Sequence, residues 1–171
     1  MARPPNEVKM TWEEVKHIIT QGDLHLLGRS KDQQEVYDTF YNQTKSEWIS
    51  IADFLLFSKF NYPIIIDEVT GKKSVKRDGS MISEEEKTRL APNDFPYYFE
   101  EGIEHYIYWK LGSNEMNILT ETEVEEAAIQ LKSKNPSFID HAIYINPPHL
   151  KSIPEIEHAH ILFYASPTGA S

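Results

Sequence analysis

Apolar residues recur at helical spacing through the first third of the chain. Thr11 followed by Glu14 forms a capping-box signature, Val15, Ile18 and Ile19 supply one apolar face, and Gly22-Asp23 ends this first short helix. Leu24, Leu26 and Leu27 lead to Gly28-Arg29-Ser30, where Ser30 can cap a second helix running to about Tyr41. Val36, Tyr37, Phe40 and Tyr41 suit the face of such a helix. Residues 45–60 predict a third helix, with Trp48, Ile51, Phe54, Leu55 and Phe57 as core positions. Asn61-Tyr62-Pro63 breaks it, and Ile64, Ile65 and Ile66 make a short β-prone run. The basic, glycine-bounded stretch from Gly71 to Ser80 reads as a surface loop, since it lacks the spacing of a phosphate-binding loop. Ser83-Glu84-Glu85-Glu86 predicts a short helical start, with acids where a helix N-terminus favours them.

Beyond residue 90 the period changes towards that of strands. Asn93-Asp94-Phe95-Pro96-Tyr97-Tyr98 is a turn leading to Gly102-Ile103-Glu104-His105-Tyr106-Ile107-Tyr108-Trp109. There Ile103, His105, Ile107 and Trp109 share one face, and Glu104, Tyr106 and Tyr108 the other. Thr120 or Thr122 then caps a helix over residues 121–133, with Val124, Ala127, Ala128 and Leu131 towards the core. Residues 139–145 and 156–164 read as strands separated by a polar, proline-stiffened loop. The order predicts an α+β fold in which a helical N-terminal half packs on a small antiparallel sheet. A single domain is expected over residues 1–171, with 1–9 as a flexible arm, 10–60 as the helical layer and 61–165 as the sheet-containing core. The residues after Ser166-Pro167 are expected to fray.

Charge narrows the partners. A net charge of -10 over 171 residues disfavours electrostatic capture of nucleic acid, although a locally positive pocket can still take a small anion. There are no cysteines, which removes disulfides, thiolate metal sites and a cysteine nucleophile. The first residues have no apolar signal-peptide core and no run approaches membrane-spanning length. A soluble cytoplasmic protein, able also to be nuclear, is the expectation, with no membrane partner, no cofactor and an oligomeric state left open.

The candidate chemistry gathers near the end of the chain. On a strand, His158 and His160 point one way, and Ile161 and Phe163 the other. Three readings follow. In the first, His160 attacks phosphorus, His158 supports it, and Asn146 and Ser152 hold phosphate oxygens. In the second, His158 and His160 ligate a metal with His105 or His149 and a carboxylate such as Glu157, although Glu157 should point away on a regular strand. In the third, the motif forms a binding surface or only a fold element. Arg29 is an additional candidate for facing a phosphate.

Several segments resemble the fungal N-acetylglucosamine-induced protein family, which is defined by a domain of unknown function. They are Leu27-Gly28-Arg29-Ser30 with Tyr37, residues 48–55, residues 93–97 through His105-Tyr106-Ile107-Tyr108-Trp109, and Asn146-Pro147-Pro148 with Lys151-Ser152-Ile153 and His158-Ala159-His160-Ile161-Leu162. That resemblance implies a link to amino-sugar response and no settled activity. A more distant similarity is to histidine-triad nucleotide hydrolases and transferases, through His105, the helix, Asn146, Lys151-Ser152, and His158 with His160. It implies nucleotide or nucleotide-sugar binding, with His160 as nucleophile and Asn146, Ser152, His105 and Lys151 near the substrate. Leu162 stands where the third alternating histidine would be, and Pro154 to Glu157 lengthen the step from serine to histidine. A non-catalytic relative that keeps the fold is the alternative.

Overall fold

In the computed structural model, described over residues 4–77, 87–112 and 118–165, the N-terminal helices begin where side chains accept their unpaired amides. Helix α1 (Trp12–Gln21) opens on a reciprocal Thr11–Glu14 capping box and ends at Gly22, whose φ of 80° is the left-handed conformation glycine accepts at no steric cost. Helix α2 (Lys31–Glu47) opens on a Ser30–Gln33 capping box. Helix α3 (Ile51–Phe60) is capped by Ser50. The helical start expected at Ser83–Glu86, residues 78–80 of the basic stretch and the chain beyond residue 165 lie outside the described residues.

The expected helix over residues 45–60 is a correction. Its first part belongs to the end of α2, and Trp48 then takes an extended conformation with φ -113° and ψ 152°. Two interactions hold this break open. The Ile49 N–H donates to the Lys73 carbonyl at 2.9 Å, and the Ser50 hydroxyl takes the Asp53 N–H at 3.0 Å to start a new helix. The basic stretch is also more ordered than a surface loop. Lys73–Val75 forms strand β2, antiparallel to β1 (Ile64–Ile66). The three isoleucines of β1 are substantially exposed.

The main sheet contains β3 (Thr88–Pro92), β4 (Ile103–Lys110), β5 (Phe138–Tyr144) and β6 (Glu157–Ala165), in the order β3-β4-β6-β5 and antiparallel throughout. Helix α4 (Glu121–Lys134), capped by Thr120, connects β4 to β5. Strand β6 is therefore interior, although it comes last in sequence. Its odd-numbered residues Ala159, Ile161 and Phe163 pack with Val124 and Ala128 of α4. Its even-numbered residues face the N-terminal helices: Leu162 joins Trp12, Val15 and Leu27, while Ile107 and Trp109 of β4 join Trp48, Ile51 and Leu55. The mixed helical and antiparallel architecture thus has its sheet covered on both faces. The N-terminal arm is pinned rather than loose from Asn6 onward. The Asn6 N–H donates to the Arg29 carbonyl at 2.8 Å, and the Met10 N–H to the Tyr98 carbonyl at 3.0 Å. No described helix is long and apolar enough to cross a membrane.

Candidate functional site

Alternation along β6 turns His158 and His160 into the interface between sheet and helices, where they are 5% and 4% exposed. Buried imidazoles need partners for both polar nitrogens, so their surroundings decide which nitrogen carries the proton. His105 lies diagonally across from His160, opposite Leu162 on the neighbouring strand. His105 Nε2 and His160 Nδ1 are 2.8 Å apart. The Tyr97 backbone N–H donates to His105 Nδ1 at 3.2 Å. At the other end, the Asn146 side-chain amide lies 3.1 Å from His160 Nε2. Tyr144 stacks on His160 with ring centroids 4.6 Å apart and planes 3° from parallel.

His158 is held differently. Its Nδ1 is 2.8 Å from the Ile156 carbonyl oxygen, which can only accept, so Nδ1 carries the proton. Burial pushes the imidazole pKa below its usual value, while the Ile156 carbonyl opposes that shift. The neutral ring consequently keeps its lone pair on Nε2. The Trp109 ring lies against it at a centroid separation of 4.8 Å.

These two histidines border a cavity of about 60 Å³ between the sheet and α2 and α3. Aromatic rings form much of its wall: Tyr37, Phe40, Phe54, Phe95, Tyr97 and Trp109. Two cations also border it. The Arg29 guanidinium lies 4.2 Å from the Tyr37 ring centroid and 5.2 Å from that of Tyr97, and its Nε donates to the Phe95 carbonyl at 3.0 Å. Lys59 pairs with Asp94 at 2.7 Å. Burial raises the Tyr37 phenol pKa, with Ser152 and Arg29 drawing it back down. The chemistry offered is a flat apolar surface combined with a cationic edge and one imidazole lone pair.

The residues expected at the site separate into three groups. His158, His160 and Ser152 line the cavity. His105 and Asn146, at 5% and 3% exposure, stand behind His160 rather than on the cavity wall. Lys151 is directed elsewhere, with its ammonium 3.1 and 3.0 Å from the two Glu157 carboxylate oxygens. Sequence reasoning misses Lys59 and treats Tyr37, Phe40 and Phe54 only as core, because strand spacing says nothing about which helix covers the strand. Arg29, the additional phosphate-facing candidate, does border the cavity. For the metal reading, Glu157 projects from the opposite face of β6 and His149 is exposed. Among the described residues no group of three or more histidine, aspartate or glutamate side chains is placed to hold a metal ion.

Comparison with known proteins fits this architecture. The uncharacterized protein YPL067C of Saccharomyces cerevisiae is 25% identical over 166 residues, covering 90% of this chain and 78% of that protein. N-acetylglucosamine-induced protein 1 of Candida albicans is 27% identical over 117 residues, which is 61% of this chain and 46% of the relative. A crystal structure of HTC1 superposes with a TM-score of 0.57, covering 91% of this chain and 85% of that one; at 21% identity the likeness is one of fold. The histidine-triad resemblance has no counterpart among these matches. A family model described as protein of unknown function (DUF3605) matches residues 11–164, from helix α1 to the penultimate residue of β6, and the chain belongs to that family.

Proposed function

We propose that the cavity binds the phosphate-bearing part of a nucleotide or nucleotide sugar, and that His158 is the group that acts on it. The observation that carries this reading is the proton arrangement at His158. Its Nδ1–H is committed to the Ile156 carbonyl, while Nε2 makes no hydrogen bond among the described residues of a ring that borders the cavity. An imidazole nucleophile needs a lone pair at the attacking nitrogen and a partner for the charge that develops on the ring. Nε2 would attack phosphorus to form an N–P bond as the P–O bond to the leaving group breaks, with the electron pair departing on oxygen. The ring then becomes cationic, and its Nδ1–H bond to Ile156 strengthens. Water would finish the turnover by displacing nitrogen from phosphorus. Arg29 supports the binding of an anionic group, and the aromatic wall supports a base or sugar face. His158 replaces His160 as nucleophile in this reading, while Asn146 and His105 serve His160 instead of substrate.

Size sharpens the proposal. A water needs roughly 10–15 Å³ of such space, so the cavity admits a few waters' worth of ligand and not a whole nucleotide. The phosphate end would enter while the remainder lies outside.

The relative induced by N-acetylglucosamine makes nucleotide derivatives of that sugar the first members of a substrate panel. Turnover is expected for at least one member, together with a phosphorylated or nucleotidylated His158 trapped by acid-free mass spectrometry. His158→Ala should lower turnover by about 10²-fold or more while leaving the circular dichroism spectrum unchanged. Full activity in that variant overturns the mechanism.

A second, non-catalytic reading is favoured by Leu162. It is fully buried at the next alternate position of β6, so no polar group stands there to assist a leaving group. Binding of a panel member with no turnover in the intact protein selects this reading.

A further inference from the structure

We infer that His158 and His160, two residues apart on one face of β6, hold opposite neutral tautomers, and that His105 is the positioning residue that fixes His160 with its proton on Nε2. The inference follows from the backbone donor at one end of the hydrogen-bonded series and is independent of any turnover in the cavity. A backbone N–H can only donate. Since the Tyr97 N–H points at His105 Nδ1 from 3.2 Å, that nitrogen must present its lone pair. The Asn93 NH₂ group lies beside the same ring, 3.4 Å from Nδ1 and 3.5 Å from Nε2, and so does not discriminate between the two nitrogens; the Tyr97 N–H does.

Neutral His105 therefore carries its proton on Nε2 and donates it to His160 Nδ1 across 2.8 Å. His160 Nδ1 is thereby an acceptor, and the His160 proton resides on Nε2. The reverse order fails at its first step, because a proton on His105 Nδ1 would face the Tyr97 N–H. At the far end, His160 Nε2–H requires an acceptor, and Asn146 is its neighbour at 3.1 Å. The oxygen and nitrogen of a side-chain amide are nearly the same in shape, so the proton order decides which end faces the ring. It assigns Asn146 Oδ1 to His160.

The result is a directed chain, Tyr97 N–H to His105, His105 to His160, and His160 to Asn146. It joins the segment before β4, which supplies Asn93, Phe95 and Tyr97 to the cavity wall, to the segment after β5, which leads to Ser152 and Ile153. His158 has the reverse arrangement, with its proton on Nδ1. One histidine thus offers the cavity a lone pair, while the other is locked as a donor to Asn146.

Nitrogen-15 and long-range proton–nitrogen correlation spectra of histidine-labelled, ligand-free protein distinguish the two tautomers directly. The expected spectrum has His160 and His105 protonated on Nε2 and His158 on Nδ1. A His160 protonated on Nδ1 overturns the inference from the wild-type spectrum alone. His105→Gln keeps both functions, since its amide oxygen can accept from Tyr97 and its NH₂ can donate to His160; the His160 signals should stay those of the Nε2–H form. His105→Leu removes the donor, and His160 should become a mixture of tautomers. If His105→Leu folds and His160 remains fully locked, His105 is not the positioning residue. If His105→Leu does not fold, loss of the lock in His105→Gln equally overturns the role assigned to His105.

Discussion

At the scale of single residues, the burial that keeps His158 neutral also makes it a point of acid weakness. Its pKa in the folded protein is lowered from the ordinary 6.5, mainly by desolvation. Below 6.5 the unfolded chain takes up a proton at this position while the folded chain does not, so folding stability rises with pH through that window. The contribution is complete above the unfolded value and is lost as pH falls below it towards the folded pKa. His158→Asn places an amide nitrogen where Nδ1 stands, keeping a donor for the Ile156 carbonyl, but does not titrate. The denaturant midpoint of this variant should therefore fall less than the wild-type midpoint between about pH 7.5 and about pH 5.5. Equal acid losses in the two proteins would place the proton uptake elsewhere.

The same scale shows what could be read from residue types and spacing. Period-two alternation puts His158 and His160 on one face, as the buried pair demonstrates. It cannot give their tautomers: the Ile156 carbonyl sets that of His158, and that of His160 depends on Tyr97 and His105 through contacts distant in sequence. Nor can it separate Ser152, on the cavity wall, from its neighbour Lys151, which is drawn to Glu157.

Among the elements, the capped helices were the most legible, because their signals lie within four consecutive residues. Thr11 with Glu14, and Ser30 with Gln33, make reciprocal bonds that need no tertiary partner. The break between α2 and α3 was hidden because apolar spacing runs straight across it. Its cause is partly remote: β2 supplies the carbonyl that takes the Ile49 N–H. The Asp53 carboxylate further ties the new helix to β2, accepting hydrogen bonds from the Ser74 hydroxyl, the Val75 N–H and Arg77. Burial alone would raise its pKa, but these bonds and the one from Ser50 together lower it. Strand β3 was missed for a related reason: five residues, Thr-Arg-Leu-Ala-Pro, pair as an edge strand without a strong alternation of their own.

The start of β4 offers a test at this level. Gly102 has φ 93°, and a Cβ there would stand 3.0 Å from the Ala165 carbonyl oxygen at the end of β6. The Gly102 carbonyl also accepts the Ala165 N–H at 2.7 Å. Gly102→Ala should therefore cost about 1–3 kcal/mol, as strained backbone and a displaced strand end combine. Chemical denaturation checks this value. An unchanged midpoint would show that the strand end moves at little cost.

For the molecule as a whole, the division into an N-terminal helical layer and a C-terminal sheet was legible, but the location of the site was only half so. Apart from Arg29, every residue that spacing offers for catalysis or binding lies at residue 105 or beyond. The cavity instead takes Arg29, Tyr37 and Phe40 from the region of α2, Phe54, Leu55 and Lys59 from α3, and its histidines from β6. The same helices cover the apolar positions beside the histidines on the inner face of the sheet, and Ile107, Trp109 and Leu162 are at most 6% exposed. A fragment comprising residues 61–165 would expose that face, and an uncovered apolar surface of this kind favours association over a folded monomer. The fragment should therefore show poorly dispersed amide resonances or aggregate, and should bind none of the ligands taken up by the intact chain. A soluble, well-dispersed fragment that retains ligand binding would place the site wholly within the sheet domain. The covered sheet makes the opposite outcome the expected one: helices and strands form the cavity together, and neither half is a binding unit by itself.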